Sequence, residues 1–253
     1  DADVAVRLKY SSSYASTANY WKNFQGEMLQ VKNNGVVNKK KELEKVFAAY
    51  AKSNPEYANV LAKLESVHKT LDQYVIIRAY QNEFGGGGFA GRIIMSLGAY
   101  KNAVENGNKE LADRIISSLK SSYGAYFESA DMSLEQDIIA AYAVMYLNDI
   151  DVKLMDTYSA SLAKKSDAAV TKMMLASAKK SILFNKAKFE AFLANPSVKA
   201  IAKDANILFT QSVLNNFSAA MAKPEIAKAN EELKVANRQF IRGIRLSHPD
   251  KKF

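Results

Sequence analysis

The chain of 253 residues has no cysteine, and that absence removes disulfides, thiolate metal sites and a thiol nucleophile together. Histidine is almost as scarce, with only His68 and His248. Neither a His-Glu-x-x-His motif nor a pair of Glu-x-x-His motifs occurs, so neither a zinc site nor a carboxylate di-iron site is signalled. No Gly-x-Ser-x-Gly elbow is present, and with so few bases a self-sufficient hydrolase is not expected. No cofactor is expected either. Proline (4) and glycine (11) are rare, and both disfavour helix interiors, so long helices have room to form. No apolar run approaches the ~20 residues of a membrane span. A chain that starts at Asp1 rather than Met and stops at Phe253 is expected to be an excised piece of a longer protein, so a missing leader says nothing of compartment.

With 48% hydrophobic and 24% charged residues, the composition is that of a globular domain with a substantial core. The net charge is +9, from 35 Lys and Arg against 26 Asp and Glu. An anionic partner would account for it, but the lysines are spread along several segments, and none of the usual nucleic-acid-binding signatures is present. The favoured reading is a solvated basic surface, with no nucleic acid as partner.

Apolar residues recur at helical spacing, as in Leu111, Ile115 and Leu119, and in Leu134, Ile138, Tyr142 and Tyr146. The pattern predicts helices over 3–33, 37–52, 55–83, 89–105, 109–129, 134–148, 150–164, 167–193, 197–203, 206–222 and 225–246, with no strand. Asn54-Pro55 and Asn195-Pro196 read as caps followed by Pro at the first helical position, and Lys223-Pro224 opens a further helix. Ser133 with Gln136 has capping-box spacing. The four glycines 85–88 read as a mobile hairpin rather than a phosphate loop, because neither a strand nor a Lys-Ser/Thr pair accompanies them. The expectation is an all-α fold, a multi-helix antiparallel bundle forming a single domain over 1–253.

The most unusual stretch runs from Asn19 through Tyr20, Trp21, Lys22, Asn23 and Phe24 to Gly26. Asn19 and Asn23 fall four apart and share a helix face. Asn is a poor mid-helix residue, because its side chain competes with the backbone. Two on one face are polar groups aimed at a ligand, or a pair bonded to neighbouring helices; spacing alone leaves both open. Trp21 and Tyr20 could line a cleft, though a lone Trp at helical spacing is more often core. Gly26 suggests close helix approach.

Lys9-Tyr10-Ser11-Ser12-Ser13-Tyr14-Ala15-Ser16, followed by the stretch from Asn19 to Gly26, resembles the helical domain of bacterial chymotrypsin-type serine dipeptidyl-peptidases. Ala236-Asn237-Arg238 and Pro249-Asp250-Lys251-Lys252-Phe253 resemble the exit from that inserted domain; Lys180-Ser181-Ile182-Leu183 and residues 189–204 agree more loosely. The resemblance implies a parent with two β-barrels carrying a His-Asp-Ser triad outside this sequence, and a periplasmic or secreted location. This chain would be the lid over the cleft, its partners the catalytic β-barrel domain of the same parent and a peptide substrate with a free N-terminus. In that family an Asn of the helical domain holds the substrate's terminal ammonium, and the motif falls on Asn23, with Asn19 beside it. Two extended residues span roughly 7 Å, so an acceptor fixed that far from the nucleophile counts off a dipeptide. Side-chain preference would be set by the absent catalytic domain. The competing expectation is a free-standing helical interaction module with a basic surface.

Overall fold

The computed structural model describes residues 4–86 and 89–248. Twelve α-helices appear among them, and no strand: α1 (Val4–Asn33), α2 (Val36–Lys52), α3 (Val60–Gly86), α4 (Phe89–Glu105), α5 (Lys109–Ser129), α6 (Met132–Asp149), α7 (Thr157–Leu162), α8 (Asp167–Ala178), α9 (Lys186–Ala194), α10 (Val198–Ile201), α11 (Ala205–Met221) and α12 (Pro224–Ser247). Short 3-10 turns occupy Pro55–Tyr57 and Val152–Leu154. The all-α expectation holds. Gly87, Gly88 and residues 249–253, including the Pro249–Phe253 motif, lie outside the described residues.

The chain forms two compact units, one of residues 1–72 and 223–253, the other of residues 73–222. In the first, α2 packs on α12 and on the 3-10 turn at Pro55–Tyr57, and α1 touches α2. The α1–α2 turn works because Gly35 takes φ +59°, a left-handed conformation that costs Gly little. The core of this unit is Phe47, Ala51, Tyr57, Val60 and Ile244, with Tyr50, Leu61, Leu64 and Phe240 packed around it. Pro224 starts α12 at its first turn, where a missing N–H costs nothing.

The second unit is built on the α4·α5 and α6·α8 pairs, with α11 against α4, α7 and α8. Ile77, Leu97, Tyr146, Met174, Leu183, Phe189, Ile207, Phe209 and Val213 are buried in it. One part of its polar interior is a bonded network, while the Asn206 amide and Gln211 Nε2 are buried without a hydrogen-bond partner among the described residues. The Asp156 Oδ1 carboxylate oxygen accepts from the Ser159 N–H (2.9 Å) and Oγ (2.8 Å) and from Ser212 Oγ. Asn216 accepts from the Asp156 N–H at 2.7 Å and donates to Tyr146 OH (2.8 Å) and Ser159 Oγ (3.0 Å). Five side chains, Tyr146, Asp156, Ser159, Ser212 and Asn216, thereby tie α6, α7 and α11 together.

Several sequence expectations need correction. The helix expected over 167–193 breaks at 179–185. Apolar periodicity runs through the break, but side chains replace the helical hydrogen bonds. Ser181 Oγ accepts from the Leu183 N–H at 3.1 Å, and the Asp204 carboxylate accepts from the Ile182 N–H at 2.9 Å. Asn185 then caps α9 through the Lys188 N–H at 3.0 Å. Such competition is why Ser and Asn interrupt helices. The cap of α6 is Asp131, not Ser133: its Oδ1 accepts from the Ser133 and Leu134 N–H groups at 3.0 and 2.9 Å. A carboxylate there also meets the positive helix end. Asn54 turns its Nδ2 back to the Tyr50 carbonyl (2.8 Å), closing α2 instead of capping the next segment. Asn195 ends α9, and Ser197 precedes α10.

Candidate substrate-facing helix

α1 is a 30-residue helix with no buried residue. It carries the four candidate substrate-binding and cleft-lining residues, Asn19, Tyr20, Trp21 and Asn23. Asn19 and Asn23 are exposed, and neither side chain bonds to another described residue. Within the described chain the pair therefore braces no neighbouring helix. At about 100° per residue the two amides project to one side of α1, some 40° apart.

Trp21 is not a core residue. It is 59% exposed, and Tyr20 is 77% exposed. The Trp21 and Phe24 rings stack with centroids 6.2 Å apart, yet Phe24 is itself 53% exposed. The usual burial of a lone Trp fails because no described part of the chain covers this side of α1. Trp21 lies two residues from each Asn, so it projects about 160° away from both. One ligand cannot meet the Trp21 ring and the Asn pair through the same wall of α1. Tyr20, three residues before Asn23, is the aromatic that adjoins the amide face. Gly26 is also corrected: a Cβ added there would meet nothing within 4 Å.

The histidines form no catalytic set. His68 is exposed on α3, and Nδ1 of His248 lies 3.0 Å from Ser247 Oγ at the end of α12. A groove of about 490 Å³ in the first unit is lined by Lys40, Glu44, Leu64, Glu65, His68 and Phe240. Among the described residues no group of three or more His, Cys, Asp or Glu could hold a metal ion. A groove of about 530 Å³ in the second unit, between Tyr100, Lys109, Asp113, Lys120 and Pro196, contains none of the four α1 residues. No described helix is long and apolar enough to cross a membrane. The raised titrations belong to tyrosines, while hydrogen bonds from Lys234 and Lys63 lower Glu231 and Glu232 on α12. Burial pushes Tyr146 up to about 12, and burial likewise raises Tyr142 and Tyr80, the latter helped by its hydrogen bond to Asp149. These phenols stay protonated and pack.

Fold and site together define a helical unit that presents exposed polar and aromatic side chains along one long helix. The comparisons place it: the chain belongs to the peptidase S46 family, which it matches over residues 1–252. It is 27% identical over 251 residues to dipeptidyl-peptidase 7 of Phocaeicola vulgatus, covering 96% of this chain and 34% of that protein. Dipeptidyl-peptidase 7 of Porphyromonas gingivalis is 29% identical over 257 residues, covering 98% and 35%. The Asp/Glu-specific dipeptidyl-peptidase of Flavobacterium psychrophilum is 25% identical over 252 residues, covering 95% and 34%. The chain spans about a third of the length of these curated relatives. The dipeptidyl-peptidase relationship expected from the motifs on α1 is thus established at the level of the family.

Proposed function

We propose that this chain is the helical lid domain of a serine-type dipeptidyl-peptidase, and that it anchors the free amino terminus of the peptide while the absent catalytic β-barrels cleave. The observation that carries this reading is the exposed, unbraced amide pair Asn19 and Asn23 on one face of α1, in a chain of the S46 family. An Asn side-chain oxygen accepts one N–H of an ammonium, and a charge-assisted bond of that kind contributes roughly 1.5–3 kcal/mol. Asn23 is the first choice for the role and Asn19 the second; Tyr20 borders them. The barrels of the same parent chain are the partner, the location periplasmic or secreted, and the chain alone is inactive.

The test is dipeptide release by the longer protein from one peptide in two forms, amine free and amine acetylated. Release from the free form alone supports the anchor. Equal cleavage of both removes it and leaves a peptidase. No cleavage of any peptide by the folded longer protein favours a second reading, a helical interaction module. One observation speaks for that module: the basic excess lies in the first unit, with 19 Lys and Arg against 12 Asp and Glu, compared with 16 against 14 in the second. Steeply salt-dependent binding to an acidic protein would then be expected.

A further inference from the structure

We propose that α1 works on two sides. The stripe Tyr14, Thr17, Trp21, Phe24, Met28 and Val31 is the surface on which the remaining part of the longer S46 protein docks, and the opposite side is left to the peptide. The proposal rests on the lid reading above and names the surface by which the lid is held.

These six residues follow one another at steps of 3, 4, 3, 4 and 3, which confines them to an arc of about 100° on the helix. Nothing in the described chain covers them. Tyr14 is 76% exposed, Met28 56% and Val31 39%, alongside the stacked Trp21 and Phe24. Leu8 and Leu29 are exposed off the stripe, but only the stripe is continuous over five turns. A chain that leaves its only Trp in water, beside Phe, Met and Tyr, has a patch that folding of this chain does not explain.

The composition selects the occupant. Aromatic residues and Met are the types enriched at the centres of protein interfaces. The stripe is flanked by Ser13, Ala18, Tyr20 and Gln25, with Glu27 and Lys32 as its only charged neighbours, of opposite sign. Phosphates or anionic headgroups would instead seek the cations of the same unit, Lys39, Lys40 and Lys41 on α2 and Lys234, Arg238 and Arg242 on α12. A second copy fits poorly, because two-stranded coils favour branched aliphatic side chains at these positions, and this stripe holds Tyr, Thr, Trp and Phe. A broad apolar protein surface with acceptors at its rim suits rings that carry a hydroxyl or an indole N–H. The family supplies such a partner in cis, since about two thirds of each relative lies outside the part that this chain matches. Docking would fix the rotation of α1 about its axis, and that rotation aims Asn19 and Asn23.

The absence of cysteine makes the test direct. Phe24→Cys and Asn23→Cys are placed singly in the 253-residue chain and in the longer protein, and alkylation is followed by mass spectrometry of the α1 peptide. The expected result is that Phe24→Cys reacts at least about tenfold more slowly in the longer protein, while Asn23→Cys reacts at similar rates in both and slows on adding a peptide with a free amino terminus. Equal reactivity of Phe24→Cys in both proteins overturns the docking surface. Slowing of Phe24→Cys in the short chain as its own concentration rises overturns it in favour of self-association. Oxidation of Trp21 in the two unsubstituted proteins reads the same surface without any variant, and equal oxidation likewise overturns it. Dipeptide release by the unsubstituted longer protein is scored separately. Protection of Phe24→Cys without release leaves the docking surface and removes the peptidase reading; release without protection does the reverse.

Discussion

Gly243 on α12 lies so close to Phe47 on α2 that a Cβ at position 243 would come within 2.4 Å of the Phe47 ring carbon Cε2 and within 3.4 Å of Tyr57 Cδ1. Phe47 is fully buried, so the ring has nowhere to go. Gly243→Ala is expected to destabilise the chain by about 1–3 kcal/mol through overpacking, despite the better helix propensity of Ala. Gly26→Ala on α1, where a Cβ meets nothing, should be neutral or stabilising by up to roughly 1 kcal/mol. Urea denaturation of the two variants measures the contrast, and equal effects would refute the close packing at Gly243.

Asp204 holds two elements with one carboxylate. Oδ2 accepts from the Ile182 N–H, and Oδ1 accepts from the Asn206 and Ile207 N–H groups at 3.1 and 3.4 Å. Asp204→Ala leaves three N–H groups without their acceptor, two of them buried and that of Ile182 half-buried, at a cost on the order of 3 kcal/mol. Hydrogen exchange should quicken first at Ile182 and at the start of α11, and unchanged exchange at Ile182 would count against the tether.

Alkaline pH is expected to weaken the second unit. Tyr146 rises from an ordinary 10.0 to about 12 because it is buried. Below pH 10 both folded and unfolded chains keep the phenol protonated, and the full stability is present. Between about 10 and 12 the unfolded state gives up the proton first, so stability falls by on the order of 2 kcal/mol as pH rises through that window. Tyr80 and Tyr142, raised further, extend the loss to higher pH. Tyr146→Phe is less stable at pH 7, since Asn216 loses a partner, but its stability should fall less steeply between pH 10 and 12. Thermal melts across that range check the slope.

In the longer protein, Asn23→Ala is expected to lower kcat/KM for a free-amine peptide by roughly 10- to 150-fold, the equivalent of one charge-assisted hydrogen bond. Asn19→Ala should have the smaller effect. Trp21→Ala, on the opposite side of α1, should leave discrimination between free and acetylated amines intact even if overall activity drops. Unchanged kinetics in both Asn variants would end the assignment.

Helix content was readable because the apolar period is strong and breakers are few; α1, α4, α5 and α11 start and end within a residue or so of where the pattern puts them. The break at 179–185 was not, because its decisive partner, Asp204, lies 22 residues away from Ile182. The Asp156–Asn216 network was equally hidden, since its members meet only after α7 and α11 pack. At the candidate site, the pairing of Asn19 with Asn23 followed from spacing. The exposure of Trp21 did not, because helical spacing does not say which faces of a helix are covered, and no described residue covers this side of α1.

The first unit is drawn from both ends of the chain. Phe47 meets α12 only after every residue from 73 to 222 has been made. At translation rates of about 5–20 residues per second, α2 waits on the order of 10–40 s for its partner helix, while the second unit is already complete. Residues 73–222 hold all of their own core partners, whereas the core around Phe47 stays open to a chaperone or a protease until α12 joins it.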